Sequence, residues 1–285
     1  MYFASSADAD LRDSTAVEAL FERVKPAAVI HLAARVGGLY ANIRDPVGFF
    51  EDNLLMNLHV VRACHSYRVQ HAVFCLSTCI FPPDADLPLT EECLDSGPPH
   101  FSNEAYAYAK RMLACHVRYH VTAHGCKWSC VIPTNVYGPN DNFSSTDSHV
   151  IAGLVRKCYE AKNSSGGSFT VSGTGKPLRQ LVFSEDLAAV ILRMLDENLV
   201  GDYIFCNDDE EVSIASVASL IGKETDFKGF ITFDTSQADG VFSKTATCTK
   251  LKSALGDIGF TPLEEGIRKT VNWYKNHYST DGIRN

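Results

Sequence analysis

The sequence predicts an α/β protein built on a doubly wound parallel sheet, followed by a smaller domain of mixed helices and strands. Apolar runs of strand length alternate with segments of helix length, which is typical of parallel sheets covered on both faces. After residue 137 the chain becomes turn-rich and the alternation is lost. We expect a first domain over 1–137 that also receives about 181–207, and a smaller second domain over 138–285.

Composition limits the kinds of partner. The 285 residues are 45% hydrophobic and 21% charged, which suits a soluble globular enzyme. A net charge of −8 argues against nucleic acid or an anionic membrane as a partner. No run approaches the ~18 apolar residues of a membrane span, and no signal peptide is visible, so we expect a cytoplasmic protein. The ten cysteines form no C-x-x-C pair, which predicts reduced thiols and no metal site.

The first predicted elements are a helix and a buried strand. The helix runs from Ser14 to Lys25 and is closed by Pro26, which cannot continue a helix. The uninterrupted apolar run 27–34 then predicts a fully buried strand. The helix places its apolar residues on one face, namely Val17, Leu20, Phe21 and Val24.

Two more helix–strand units complete the predicted sheet. A helix over about 49–67 leads to the strand 71–78, and a helix over about 104–122 leads to the strand 127–136. Strands separated by helices of this length pair in parallel.

The second half of the chain is predicted to be mixed. We expect a helix over 149–162, a polar turn over 163–168 and a hairpin over 169–183 with glycines at its turn. The segment 202–207 predicts one more strand of the main sheet.

A tyrosine and a lysine four residues apart form the first chemical motif. Tyr106 and Lys110 lie on one helix face, where the ammonium is expected to lower the pKa of the phenol and make it a usable acid. By itself the spacing also fits an amphipathic helix with one surface lysine. Ser77 ends the preceding strand, however, and the three residues together resemble the Ser–Tyr–Lys triad of short-chain dehydrogenases/reductases.

The resemblance narrows to one family on a series of motifs in the same order. The chain is similar to the GDP-L-fucose synthases, which use NADPH to convert GDP-4-keto-6-deoxy-D-mannose to GDP-L-fucose by epimerisation at C3 and C5 and reduction at C4. This resemblance implies a Rossmann-like sheet, NADP(H) as cofactor, a nucleotide-sugar substrate and a homodimer. The motifs are HLAARVGGL (31–39), CLSTCIFP (75–82), GPPH-x-SN (97–103), YAYAKRM (106–112), IPTNVYGP-x-DNF (132–143), HV (149–150) and SGTGKPLRQ (172–180).

The resemblance also assigns catalytic roles. Cys79, with a pKa near neutrality, and His149 become the base and acid that move protons at C3 and C5. Tyr106 becomes the proton donor to the C4 oxygen, Lys110 its electrostatic partner, and Ser77 a hydrogen-bond donor to that oxygen. The alternatives are a core thiol for Cys79 and an ordinary first-turn helix residue for His149.

Further residues are expected to bind the two ligands. Asn135 is expected to be buried at a strand end, where it could instead cap a turn, and Arg179 and Lys244 could instead be solvated charges. Ser172 stands where the family often has tryptophan. The resemblance implies cofactor binding by Asp10, Leu11, Leu32, Ala33, Ala34, Tyr106 and Lys110, and substrate binding by Asn135, Val150, Lys157, Arg179 and Lys244.

One family feature is missing from the sequence. Dinucleotide-binding sheets of this kind open with a strand and a G-x-x-G-x-x-G turn that holds the cofactor pyrophosphate at a helix N-terminus. The chain has no such turn, and residues 1–13 resemble the end of the second strand and the following loop. We therefore expect an N-terminally truncated form with weak NADPH binding.

Two rival functions remain open at this point. One is another epimerase or reductase of the extended short-chain family acting on a different nucleotide sugar. The other is a catalytically impaired binding or regulatory form that lacks the cofactor loop.

The predicted homodimer rests on two helices. In similar enzymes the helices corresponding to 49–67 and 104–122 pair with their copies. The first of these carries more apolar residues than one sheet face needs, namely Leu54, Leu55, Leu58 and Val61.

Overall fold

A computed structural model describes residues 1–164, 167–237, 239 and 241–278. The helices are α1 (Ser14–Val24), α2 (Leu39–Arg44), α3 (Pro46–Ser66), α4 (Glu104–His124), α5 (Val150–Asn163), α6 (Ser184–Asp196), α7 (Ile214–Thr225), α8 (Thr249–Leu255) and α9 (Leu263–His277), with short 3₁₀ helices at Thr78–Ile80 and Glu91–Asp95. The strands are β1 (Ala28–His31), β2 (His71–Cys75), β3 (Lys127–Pro133), β4 (Asn135–Tyr137), β5 (Ser168–Ser172), β6 (Leu178–Arg179), β7 (Leu181–Phe183), β8 (Gly201–Phe205), β9 (Val212–Ser213) and β10 (Phe230–Asp234).

The main sheet is parallel throughout, as the sequence predicts. Its strand order is β1-β2-β3-β8, and the strand expected at 202–207 joins it as β8. Helix α4 packs on β3, and α6 contacts β2 and β3. Because helices cover this strand, every residue from Trp128 to Pro133 is buried. The continuous apolar runs of the sequence therefore reflect burial on both faces.

Buried apolar side chains form two clusters. One surrounds the main sheet and includes Phe74, Trp128 and Ile204. The other lies among α5, α7, α9 and β5 and includes Val155 and Val217. The division into domains at residue 137 stays a prediction.

The run 127–136 is not one strand. Strand β3 ends at Pro133, and the backbone N–H of Asn135 donates to the carbonyl of Gln180 at 3.3 Å, so that β4 pairs with β7 in a separate two-stranded sheet. Proline lacks the N–H that a ladder needs, which explains why the strand ends there. The predicted strands 27–34 and 71–78 are also shorter and end at His31 and Cys75.

The predicted hairpin over 169–183 is wrong. Strand β5 pairs in parallel with β10, β6 pairs antiparallel with β9, and β7 pairs with β4. Gly173 and Gly175 do supply left-handed backbone, with φ of 82° and 72°. Their hydrogen bonds go to later parts of the chain, however, because the N–H of Gly173 donates to Asp234 and the carbonyl of Gly175 accepts from Ala215.

Four further observations concern the remaining expectations. Residues 1–13 form turns, and the expected end of a strand is not found there. In the described part of the chain, β1 is the edge strand of the main sheet and pairs with β2. All ten cysteines are free thiols. Among the described helices, none combines the length and apolar character that crossing a bilayer requires. The predicted turn over 163–168 includes Ser165 and Gly166, which lie outside the described residues.

Candidate active site

The carboxyl end of β2 positions a serine and a cysteine. After Cys75 the chain leaves the sheet, and Ser77 adopts an extended conformation as the N-cap of the 3₁₀ helix Thr78–Ile80. Its Oγ accepts a hydrogen bond from the backbone N–H of Cys79 at 3.4 Å. Parallel sheets bind ligands at this end of their strands. Ser77 and Cys79 therefore lie where the sequence predicts a site.

Helix α4 brings the tyrosine and lysine to the same place. Lys110 is only 2% exposed, and its Nζ donates to the carbonyl of Cys75 at 2.8 Å. The same Nζ lies 5.8 Å from the centre of the Tyr106 ring. The lysine is therefore a buried cation that joins α4 to the end of β2, and a solvated surface lysine is excluded.

The expected lowering of the Tyr106 pKa is not found. Burial raises the pKa of Tyr106 well above its ordinary value, and the neighbouring Cys79 and Cys75 act in the same direction. Burial also lowers the pKa of Lys110. Desolvation disfavours both charged forms, the phenolate of Tyr106 and the ammonium of Lys110. The sequence places Tyr106 and Lys110 on one helix face, but it does not show that the fold buries both side chains.

Cys79 departs from expectation in the same way. Burial raises its pKa, whereas the hydrogen bond with Ser77 and the nearby Lys244 and Lys110 lower it. The predicted pKa near neutrality is therefore wrong, because burial favours the neutral thiol of Cys79. Its proximity to two lysine ammonium groups still distinguishes it from an ordinary core cysteine.

His149 forms a pair with a residue that the sequence analysis did not select. It is the N-cap residue of α5, and its Nδ1 lies 3.9 Å from Oδ1 of Asp141. The nearby carboxylate of Asp141 raises the pKa of His149, and burial opposes this effect more weakly. A sequence signal was available, because Asp141 belongs to the motif IPTNVYGP-x-DNF. The side chain of His149 therefore faces Asp141.

A second pair that the sequence analysis did not select, His31 and Asn57, lies near Lys110. His31 is 4% exposed at the end of β1, and its Nε2 lies 3.0 Å from Oδ1 of Asn57 on α3. The Asn57 amide also donates to the carbonyl of Ala109 on α4 at 3.5 Å. Burial, followed by the charge of Lys110, lowers the pKa of His31 to about 4. A neutral histidine and an asparagine therefore hold β1, α3 and α4 together beside the catalytic candidates.

The proposed cofactor residues lie in two places. Leu32, Ala33 and Ala34 follow β1, where Leu32 is 57% exposed and the two alanines are half-buried. Asp10 is exposed and forms an ion pair with Arg12 at 2.8 Å. The carbonyl of Leu11 lies 3.1 Å from Nδ1 of His59.

The residues after β1 fit part of a dinucleotide. They lie at the carboxyl end of a parallel strand, where dinucleotides bind, and their small and apolar side chains suit a flat ring such as the nicotinamide.

Three of the proposed substrate residues lie around β6 and the segment before α8. Asn135 is exposed rather than buried, and its side-chain amide donates to the carbonyl of Gln180 at 3.0 Å. Arg179 donates to the carbonyl of Val241 at 2.9 Å, and burial lowers its pKa. Lys244 is partly buried, its charge interacts with Cys79, and burial lowers its pKa. Arg179 and Lys244 are therefore partly desolvated cations, suited to phosphate.

The other two lie along α5. Val150 is 45% exposed next to His149. Lys157 is eight residues beyond His149, about 12 Å along the helix axis, and its Nζ donates to the carbonyl of Thr170 at 3.3 Å. It borders an open cleft of about 380 Å³ that also contains Glu160 and Phe169. That cleft does not include the catalytic candidates, so the structure does not bring Lys157 together with them.

Comparison with protein families gives one match over most of the chain. Residues 4–204 match the model of the NAD dependent epimerase/dehydratase family. The matched region contains Ser77, Cys79, Tyr106, Lys110 and His149.

Individual relatives are more specific. The chain is 45% identical over 280 residues to a GDP-L-fucose synthase of Dictyostelium discoideum, covering 98% of this chain and 87% of that protein. It is 32% identical over 274 residues to a GDP-L-fucose synthase of Escherichia coli, covering 93% and 85%. The crystal structure of a GDP-L-fucose synthetase from Naegleria fowleri bound to NADP superimposes with a TM-score of 0.91 and 42% identity, covering 99% of this chain and 86% of that one.

Proposed function

The chain belongs to the GDP-L-fucose synthases of the NAD dependent epimerase/dehydratase family, and from this membership we infer that it makes GDP-L-fucose. The substrate is GDP-4-keto-6-deoxy-D-mannose, the two chemical steps are epimerisation at C3 and C5 and reduction at C4, and the reductant is NADPH. The observation that carries this assignment to the site described above is the buried Lys110, which joins Tyr106 to the strand end that bears Ser77 and Cys79.

Reduction of a ketone needs a hydride and a proton. NADPH supplies the hydride to C4 when it is bound. We propose that the phenol of Tyr106 donates the proton to the C4 oxygen and that Ser77 donates a hydrogen bond to the same oxygen. The high pKa of Tyr106 keeps the phenol protonated before the reaction, as a proton donor requires. Lys110 then stabilises the tyrosinate that the transfer leaves behind.

Epimerisation needs a proton removed from one face of a carbon next to the ketone and a proton returned to the opposite face. Cys79 and His149 are the proposed pair for this exchange at C3 and C5. Asp141 stabilises the imidazolium form of His149, and Lys244 and Lys110 stabilise the thiolate form of Cys79. Each group therefore has a neighbour that favours the charged state through which it must pass.

Ligand binding is proposed to use the two groups of residues described above. Leu32, Ala33 and Ala34, with Tyr106 and Lys110, would hold the nicotinamide end of the cofactor. Asn135, Arg179 and Lys244 would contact the sugar and the diphosphate, which matches partly buried cations to anionic oxygens.

The proposal also includes the cellular location and the oligomeric state of the protein. Ten free thiols are consistent with a reducing compartment, and we propose a cytoplasmic location on that ground. We also propose a homodimer in which α3 and α4 pair with their copies. The support is a group of exposed apolar residues on these helices, namely Val47, Leu55, Tyr108, Met112 and Tyr119.

The direct test is product formation. The purified chain is incubated with GDP-4-keto-6-deoxy-D-mannose and NADPH, and GDP-L-fucose is measured by chromatography. UDP-galactose serves as the second substrate, because turnover of this sugar with no formation of GDP-L-fucose would favour another extended short-chain enzyme. Substrate binding measured by calorimetry with no conversion of either sugar would favour a binding or regulatory form.

A further inference from the structure

Four histidines lie together at one end of the α3–α4 pair. His116, His120 and His124 follow each other at intervals of four residues, which places them on one face of α4. His65 lies in the last turn of α3 and faces them, with ring centres 4.7 Å from His120 and 4.3 Å from His124. None of these residues belongs to the catalytic set proposed above.

Three of them converge on a common point. One ligand nitrogen from each of His65, His120 and His124 lies within 4.8 Å of the other two. Three nitrogens bound tetrahedrally to Zn²⁺ at 2.0–2.1 Å are about 3.3 Å apart. His65 and His124 are exposed, so small changes in their side-chain torsions would bring the three nitrogens from within 4.8 Å to the separation that Zn²⁺ needs. Imidazole is a preferred ligand of the late divalent transition metals.

His120 carries the strongest sign of a missing ligand. Its Nδ1 is buried and has no hydrogen-bond partner, whereas its Nε2 lies 3.2 Å from Nε2 of His116. If Nε2–H of His120 donates to His116, the lone pair on Nδ1 is left unpaired. Histidines that bind metals usually donate their second ring N–H to a neighbour in this way, which fixes the ring and its tautomer. A buried acceptor without a partner otherwise costs free energy.

The electrostatic surroundings favour a cation. His65 and His124 lie in the last turns of α3 and α4, where the helix carbonyls carry partial negative charge.

We propose that His65, His120 and His124 bind a divalent transition-metal ion of the zinc class, with His116 orienting His120 and water completing the coordination. The ion would clamp the C-terminal ends of α3 and α4 together. The sequence analysis missed this site because His65 is separated from the α4 histidines by the whole of β2 and the loop after it.

The test measures the affinity of the full, metal-free chain for Zn²⁺ by competition with a chromophoric chelator. We expect one ion per chain, and at least a tenfold weaker affinity in His65→Gln and in His124→Gln. The matched control is His277→Gln, which removes a histidine of α9 and should leave the affinity unchanged. Because His65 and His124 are exposed, both variants should fold, which their circular dichroism spectra verify. Unchanged affinity in either variant would overturn the proposal.

A second measurement distinguishes this site from the buried group Cys206, Asp208 and Cys248, which could also offer ligands. X-ray absorption of the Zn²⁺-loaded chain should show only nitrogen and oxygen at 2.0–2.1 Å, whereas sulfur at about 2.3 Å would place the ion at the cysteines and refute the histidine site. Binding of half an ion per chain, accompanied by Zn²⁺-dependent dimerisation in light scattering, would also refute it, because the site would then bridge two copies.

Discussion

Tyr106 and Cys79 both lie close to the ammonium of Lys110, yet both have pKa values above their ordinary range. The physical reason is burial, which disfavours the phenolate and the thiolate because it removes these anions from water. For Cys79 this penalty is larger than the stabilisation that the neighbouring lysines, themselves desolvated, give to the thiolate. Both side chains are therefore protonated before the reaction begins. Bound substrate and cofactor would change this balance by excluding water and adding charge.

Replacing Tyr106 with phenylalanine should separate the two chemical steps. We expect NADPH oxidation to fall by about 10²–10⁴-fold, because the C4 oxygen loses its proton donor. Incorporation of solvent deuterium at C3 and C5, followed by mass spectrometry, should continue. Tyr108→Phe, an exposed tyrosine on the same helix, is the control and should leave both rates unchanged. Equal loss of exchange and reduction in Tyr106→Phe would show that the phenol also serves epimerisation.

Replacing Cys79 with serine should have the reverse effect. Deuterium exchange at C3 and C5 should be lost directly, because a serine hydroxyl is a far weaker acid than a thiol and does not form the anion that removes the proton. Cys93→Ser, at a partly buried cysteine outside the site, is the control. If Cys79→Ser exchanged deuterium at the normal rate, Cys79 would be a core thiol and not a catalytic residue.

The pair formed by His149 and Asp141 predicts a shift in the pH profile of exchange. The lower-pH limb belongs to the group with the lower pKa, which is His149, because burial raises the pKa of Cys79 from an already higher ordinary value. Asp141 raises the pKa of His149, so Asp141→Asn should lower it and move this limb to lower pH. The control is Asp147→Asn in the same loop, which pairs with Arg44 instead. An unmoved limb would mean that Asp141 does not control the titration of His149.

Among the secondary-structure elements, α3 determines the shape of the loop after β1. Asn53 is fully buried on α3, and its side chain donates to the carbonyls of Arg35 and Phe49 and accepts from the N–H of Arg35 at 2.9 Å. Arg35 is held further by ion pairs with Asp45 at 2.6 Å and Asp52 at 3.1 Å. The proposed cofactor residues 32–34 are therefore fixed by contacts on the helix side of the loop.

Removing the Asn53 side chain should destabilise the protein. Asn53→Ala leaves the partly buried N–H and C=O groups of Arg35 without their side-chain partner, and we expect a loss of about 1–3 kcal/mol in the free energy of unfolding. Urea denaturation measures it, with Asn272→Ala on the exposed face of α9 as the control. NADPH affinity should fall as well, since the loop loses its anchor. A loss of less than about 0.5 kcal/mol would mean that water replaces these bonds.

On the scale of the whole molecule, the exposed apolar residues of α3 and α4 predict an interface. Leu55 is 39% and Met112 45% exposed, whereas Val61, which the sequence analysis placed in the same surface, is fully buried in the core. If these helices pair with their copies, Leu55→Glu and Met112→Glu should each shift the chain from dimer to monomer at micromolar concentration. Light scattering measures the mass, and Leu192→Glu, 42% exposed on α6, should leave it unchanged. A monomeric wild-type chain would contradict the proposed dimer.

The sequence by itself determined the parallel sheet and the order of the helices and strands that build its first three strands, and it supplied the proposed catalytic residues. Continuous apolar runs and helix-length spacers require burial on both faces of a sheet, and that requirement depends on the sequence pattern alone. The Ser77, Tyr106 and Lys110 motif was recognisable for a related reason, since spacing along a helix or at a strand end is a local property. The family assignment followed from the ordered motifs and is confirmed by the relatives.

The tertiary structure decided how that site is charged and which other residues support it. Three contacts join parts of the chain that no local pattern connects. They are Asp141 with His149, Asn57 with His31, and His65 of α3 with the histidines of α4. The error at 169–183 has the same origin, because the partners of β5 and β7 lie outside that segment. Burial, which sets the pKa values of Tyr106 and Cys79, depends on every element packed around a residue, and therefore only the complete fold determines it.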